Sequence, residues 1–258
     1  MELTKNSRQS NRMFIQTWGE GHSTAMFVHG WLVNGDVYAP LCKELTLDAQ
    51  LIVPDLVGTG RSGSASQQVG LATWKNNLKG LLQEGGDPVH LVGHSMGGLL
   101  AQALATELPE LVSSLTLIVP VPVKGFKLSG EVKALFESTA TDVSARRAVM
   151  DASCVDLEGE DQELLYGMVQ DTEEPAVTNG LREWQLGLPN VDLGSIICPT
   201  LVVGSDDAFL TNSLLQRQVV NKIPGAQFVS IPNAGHYPLV QRAPELARII
   251  EEFAARLG

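Results

Sequence analysis

Hydrophobic positions along the chain fall into two alternating patterns. Short apolar or β-branched runs read as strands: MFIQTW (13–18), TAMFVH (24–29), AQLIVPD (49–55), PVHLVGH (88–94), SLTLIVP (114–120), PTLVVGS (199–205) and AQFVSIP (226–232). Between them lie stretches with helical spacing, including DVYAPLCKEL, LATWKNNLKGLLQE (71–84), SMGGLLAQALATEL (95–108), LTNSLLQRQVVNKI and the closing APELARIIEEFAARL (243–257). Strands that are apolar throughout are buried on both faces. Their alternation with helices predicts an α/β fold with a mostly parallel central sheet and helices on both faces. GEGHS, between the first two runs, predicts a hairpin turn.

The alternation breaks between 121 and 192. SGEVKALFES, DVSARRAVMDAS, GEDQELLYGMVQ and GLREWQLG are helix-like, and none resembles a buried strand. The expected organisation is therefore a core made of 1–120 and 193–258, with 121–192 inserted as a helical cap over one end of the sheet.

Charge sharpens this picture. The chain of 258 residues carries 18 basic and 29 acidic residues, a formal charge of −11. Residues 120–192 hold 14 Asp and Glu against 6 Lys and Arg, so most of the net charge lies in the insertion. A solvated helical surface explains this simply; a lid that discourages anionic substrates is the functional reading. No basic face for nucleic acid is visible. No stretch of about 18 apolar residues exists, so no membrane span is expected. Cys42, Cys154 and Cys198 are far apart with no CxxC, which suggests reduced structural thiols. MELTKNSRQSNRMF lacks the apolar core of a signal peptide, so a cytoplasmic location is expected. Nothing in the pattern indicates an oligomeric state.

The chemistry centres on Gly93-His94-Ser95-Met96-Gly97, a G-x-S-x-G between a strand and a helix. In so tight a turn, side chains at the two glycine positions would collide with strand and helix. Ser95 would be held in a sparsely populated backbone conformation, exposed at a helix N-terminus. A serine hydroxyl needs a base. Among the five histidines, His22 lies in a turn, His29 ends a strand, His90 lies within one, and His94 must point away from Ser95. His236, in the polar loop PNAGHYP after the last strand, is the expected base. The acid should come from LVVGSDDAF, where Asp206 and Asp207 both follow the preceding strand. An oxyanion hole needs two donors. The amide of Met96 is one, and that of Trp31, in His29-Gly30-Trp31, is the expected second.

FVHGW, PDLVGTGRS, GHSMGG, LVVGSDD and NAGHYP, in that order over nearly the whole chain, resemble the α/β-hydrolase superfamily. The resemblance is to small, cap-bearing carboxylesterase-like members: microbial esterases, pimeloyl-carrier-protein methyl esterases, and cofactor-free haloperoxidases or perhydrolases. It implies the order Ser95, Asp207, His236 for nucleophile, acid and base, and so favours Asp207 over Asp206. It also implies that Asp55, Gly58, Gly60, Arg61 and Ser62 are scaffold. Ser95 argues against the epoxide hydrolases and haloalkane dehalogenases, which resemble this layout but carry an aspartate there. Acyl carrier proteins are acidic, and an acidic cap disfavours their docking.

The expected function is hydrolysis of a small-molecule ester or lactone through an acyl-enzyme, with an uncharged, largely apolar substrate and no metal or cofactor. Leu32, Phe126, Met150, Trp184, Phe209 and Tyr237 are the expected pocket residues, beside Trp31. Carbon–carbon bond hydrolysis, hydroxynitrile-lyase-like cleavage or perhydrolase chemistry on the same triad is the alternative. A small-molecule receptor with residual hydrolysis is the second.

Overall fold

The computed structural model describes residues 5–10, 13–64 and 68–257. Its eight strands are β1 (Lys5–Ser10), β2 (Met13–Trp18), β3 (Ser23–Val28), β4 (Ala49–Pro54), β5 (Val89–His94), β6 (Val112–Ile118), β7 (Thr200–Ser205) and β8 (Gln227–Ile231). They form one sheet in the order β1-β2-β4-β3-β5-β6-β7-β8. β1 and β2 pair antiparallel, as do β2 and β4; every other pairing is parallel.

Two departures from the sequence pattern concern the sheet's first edge. β2 and β3 do not form the expected hairpin, because β4 lies between them. Gly21 lets the connecting chain run against the start of β4; a Cβ there would sit 2.2 Å from the Ala49 nitrogen. β3 is instead paired in parallel on both edges, by β4 and by β5, near the middle of the sheet. β1 escaped the pattern because KNSRQS is polar throughout, as suits an edge strand.

The helices are α1 (Ala39–Glu44), α2 (Leu71–Gly85), α3 (Met96–Glu107), α4 (Gly130–Ser138), α5 (Val143–Ser153), α6 (Gly159–Met168), α7 (Glu174–Leu186), α8 (Asn212–Gln218), α9 (Pro238–Gln241) and α10 (Ala243–Ala255). From β3 the chain steps to β4 through α1, then reverses past β3 to β5 through α2. Right-handed crossovers therefore put α1 and α2 on opposite faces. The loops leaving β3 and β5 diverge at the reversal and open a crevice at the carboxyl ends of the strands. Among the described residues no helix is long and apolar enough to cross a membrane.

α4 to α7 are inserted between β6 and β7. Buried Arg146 organises them, donating to the carbonyls of Thr139, Val169 and Thr172, each at 2.8 Å. Hydrogen bonds tie the insertion to the sheet domain: Trp31 Nε1 to Val177 O at 2.9 Å, Asn179 Nδ2 to Val69 O at 2.8 Å and Gly60 N to Asp171 O at 3.1 Å. The insertion's charge is segregated. Residues 141–175 hold ten acidic and two basic residues, whereas the rest of 121–192 is balanced at four of each. The excess thus belongs to α5, α6 and the segments beside them.

Candidate active site

Ser95 stands between β5 and α3 at φ 54, ψ −117, a conformation non-glycine residues rarely adopt. Three main-chain hydrogen bonds hold it there. Its N–H donates to Ile118 O at 3.0 Å, and its carbonyl accepts from Leu99 N at 3.2 Å and Val121 N at 3.0 Å. The glycines have the steric role expected of them. A Cβ on Gly93 would lie 2.6 Å from Gly97 O, and one on Gly97 would lie 2.1 Å from Val28 O. Val119, at the end of the neighbouring β6, and Leu32, in the loop after β3, also have positive φ, at 41° and 64°. Strained backbone thus gathers around the serine. Its hydroxyl has no hydrogen-bond partner within the described residues.

His236 follows β8 and shares a cavity wall with Ser95. Its Nδ1 is hydrogen-bonded to Asp207 Oδ2. The other carboxylate oxygen of Asp207 accepts from the amides of Phe209 at 2.6 Å and Leu210 at 3.0 Å. Burial would raise the Asp207 carboxyl. The His236 charge, its hydrogen bond and the two amides outweigh burial and hold it below its ordinary value. Asp206 faces elsewhere: its Oδ2 accepts from Asn233 N at 2.8 Å and pins the loop before His236. Of the two carboxylates that the residues alone left open, Asp207 is the one that touches the imidazole.

The main chain of His236 is gripped on both sides. Its N–H donates to Ser153 O, at the end of α5, at 2.6 Å. Its carbonyl accepts from His94 Nε2 at 2.8 Å. Gln241 reinforces the grip, accepting from Gly235 N at 2.9 Å and donating to Val155 O at 2.5 Å. Burial, and then the His236 charge, push the His94 pKa far below the ordinary imidazole value, so this ring is neutral. Burial also pushes the nearby Cys154 thiol up to about 12, which leaves it unreactive.

The loop after β3 lies directly against the serine. A Cβ on Gly30 would sit 3.0 Å from Ser95 Cβ. His29 Nδ1 donates to Gly30 O at 2.8 Å, while its Nε2 accepts from Leu56 N at 2.9 Å. Among the described residues, neither the Trp31 nor the Met96 amide donates to another group of the chain. Two unspent donors flank Ser95, one in the adjoining loop and one at the start of α3.

Of the expected pocket residues, Phe126, Met150, Trp184, Phe209 and Tyr237 line the cavity, as does Trp31. Leu32 does not. It is fully buried, and its left-handed backbone turns it beneath the loop into the core. Phe136, Val149 and Ser153 are walls that the sequence reading missed. Their signal was available: Phe136 is the one buried residue of α4, and Val149 and Ser153 share one face of α5. The cavity and the open solvent at its mouth together take up about 490 Å³. It is narrow, with Trp31 stacked on Phe136 at 5.6 Å between ring centroids and Phe136 edge-on to Phe209 at 5.5 Å. Asp55 is scaffold as expected: it receives Arg61 through two hydrogen bonds, at 2.8 and 3.0 Å, and the Gly35 amide at 2.8 Å.

The chain is similar to known proteins over nearly its full length. It is 28% identical to a pimeloyl-[acyl-carrier protein] methyl ester esterase of Stenotrophomonas maltophilia, covering 95% of this chain and 98% of that one. It is 29% identical to the lipase LipV of Mycobacterium tuberculosis, again covering 95% and 98%. Its fold matches that of a thermophilic esterase from Thermogutta terrifontis with a TM-score of 0.81 at 23% identity, covering 100% and 99%. The sequence model of the Alpha/beta hydrolase family matches residues 25–249. That match spans most of the chain, and the protein belongs to the α/β-hydrolase family.

Proposed function

We propose that the protein is a serine hydrolase that cleaves carboxylic esters or lactones through an acyl-enzyme. One observation carries the reading: strained Ser95 shares a largely apolar cavity with His236, and His236 is bound through Nδ1 to buried Asp207. Two relatives that match almost end to end are named as an ester esterase and a lipase.

In the proposed reaction His236 Nε2 takes the Ser95 proton as the oxygen attacks the substrate carbonyl. Asp207 holds Nδ1–H and stabilises the imidazolium. The amides of Trp31 and Met96 bind the oxyanion, where their pre-set dipoles need no reorganisation. His236 returns the proton to the departing alcohol. A water activated by the same ring then releases the acid.

Residues 121–192 serve as the cap. Phe136, Met150 and Trp184 from this segment close the cavity against the strand ends, and their apolar character suits an uncharged, apolar substrate group. The ten acidic residues of 141–175 disfavour anionic substrates. No disulfide joins Cys42, Cys154 or Cys198, which suits a reducing cytoplasm. The test is a panel of p-nitrophenyl esters and lactones of graded chain length, run beside Ser95→Ala. The reading predicts turnover of at least one uncharged series and its loss in the variant. Hydrolysis by Ser95→Ala at a near wild-type rate would overturn it.

A further inference from the structure

The cavity is apolar, and two of its polar wall groups are committed within the protein. Trp31 Nε1 donates to Val177 O at 2.9 Å, and Ser153 Oγ donates to Val149 O at 2.6 Å. Even Trp74, behind the walls, spends its indole N–H on Val57 O at 2.8 Å. Trp184 is different. It is 6% exposed, yet its Nε1 is buried without a hydrogen-bond partner. Its ring stands edge-on to two other cavity walls, Trp31 at 6.1 Å and Phe136 at 6.3 Å between centroids.

Buried donors without acceptors are rare in folded proteins, because each forfeits its hydration with nothing in return. A phenylalanine would fill most of the same apolar volume without that cost. The neighbouring protein atoms supply no acceptor, and the residue that carries this donor lines the cavity. We propose that Trp184 Nε1 donates a hydrogen bond to a second, non-reacting oxygen of the substrate. The substrate class is then an ester or lactone with an additional ether or carbonyl oxygen, rather than a plain alkanoate ester. Trp184 is the specificity-determining residue of the site. This inference rests on the ester-cleaving reading above.

The test compares straight-chain esters with isosteres in which one methylene is replaced by an ether oxygen. The oxygen is walked along the acyl side in p-nitrophenyl esters and along the alcohol side in acetate esters. Each rate is divided by that ester's own alkaline hydrolysis rate. Wild type, Trp184→Phe and Ser95→Ala are measured together. In the wild type, one oxygen position should raise kcat/KM about tenfold over the all-carbon ester, the worth of one buried hydrogen bond. In Trp184→Phe that advantage, taken as the ratio of the two esters within the same variant, should fall below about twofold. The proposal is overturned if no oxygen position is preferred by the wild type, or if the preference survives in Trp184→Phe. Should Trp184→Phe fail to fold, the wild-type panel and Trp184→Leu decide by the same criteria. Failure of the underlying reading looks different: no ester of either series is turned over, or Ser95→Ala hydrolyses them, and the proposal then falls with it.

Discussion

The Nε2 of His94 lies 2.8 Å from the main-chain oxygen of His236, joining the serine turn to the loop of the proposed base. A carbonyl only accepts, so this nitrogen carries the proton and Nδ1 is bare. The two rings are 4.9 Å apart, and the neutral state of His94 places no second positive charge beside the imidazolium that forms in the reaction. His94→Gln can present an amide N–H near the same point, whereas His94→Phe fills the space without a donor. Kinetics should show kcat about tenfold to a hundredfold lower in His94→Phe with KM nearly unchanged, and most of the loss restored in His94→Gln. Equal activity of the two variants would show that the contact does not position His236.

His29 acts one peptide away from Trp31, the proposed oxyanion donor. In a trans peptide the C=O and N–H point in opposite directions. By holding Gly30 O, His29 Nδ1 fixes the direction of the Trp31 amide. His29→Asn can still donate to Gly30 O but abandons the Leu56 amide, and His29→Gln does the reverse. His29→Asn should therefore lose mainly stability. His29→Gln should lose mainly kcat, by up to about a hundredfold. Steady-state kinetics beside thermal denaturation separates the two.

Most of the site was legible because the chemistry demands particular residues at the ends of strands. Ser95, Asp207 and His236 each stand just after an apolar run, and the parallel sheet brings those ends together whatever the intervening length. Contacts made by the main chain left no such mark. Nothing in the sequence says that Ser153 O holds His236 N, because any residue has a carbonyl. Leu32 shows the complementary failure: an apolar residue next to Trp31 reads as pocket, and only its φ of 64° sends it into the core. β1 was invisible because a polar edge strand has no apolar face to report.

Asp206 and Asp207 are adjacent and chemically alike, so their variants should part cleanly. Asp207→Asn keeps the shape but removes the charge that stabilises the imidazolium and invites the wrong tautomer. It should cost about three to four orders of magnitude in kcat. Asp206→Asn retains an acceptor for Asn233 N and should keep kcat within a few-fold. Comparable losses in both would mean that the carboxylate roles are misassigned.

Three histidines make stability depend on pH. Burial lowers the pKa of His29, of His94 and of His90, the last from 6.5 to about 4. The folded protein keeps these rings neutral, while the unfolded chain protonates them near 6.5. Below that pH the unfolded state binds more protons, so stability falls as pH falls. His90 alone accounts for about 3 kcal/mol once the pH reaches its folded value. Asp207, with its depressed folded pKa, adds stability at neutral pH that is lost only at still lower pH. Urea unfolding between pH 8 and pH 4 should show a decline beginning near 6.5, and His90→Gln should flatten it by about one proton. A level stability between pH 7 and pH 5 would contradict the buried neutral rings.

The last prediction concerns how the insertion is anchored. α2 begins after Gly70, which offers no side-chain cap. Glu183, on α7, supplies the missing acceptor: its Oε2 takes the Leu71 amide at 2.6 Å, where a carboxylate also meets the positive end of the helix dipole. Its side chain is 28% exposed, so solvent weakens the charge term, and Glu183→Ala should cost about 1 kcal/mol. The backbone of Gly70 is extended and any residue could adopt it, but a Cβ there would sit 2.5 Å from Glu183 Oε2. Gly70→Ser alone should therefore destabilise by collision. In the Glu183→Ala background the collision is gone and the serine hydroxyl can cap α2 itself. The same substitution should then stabilise, and the double variant should recover most of the loss. Thermal melts of the four proteins test this reversal of sign. If Gly70→Ser has the same effect in both backgrounds, Glu183 is not the cap of α2.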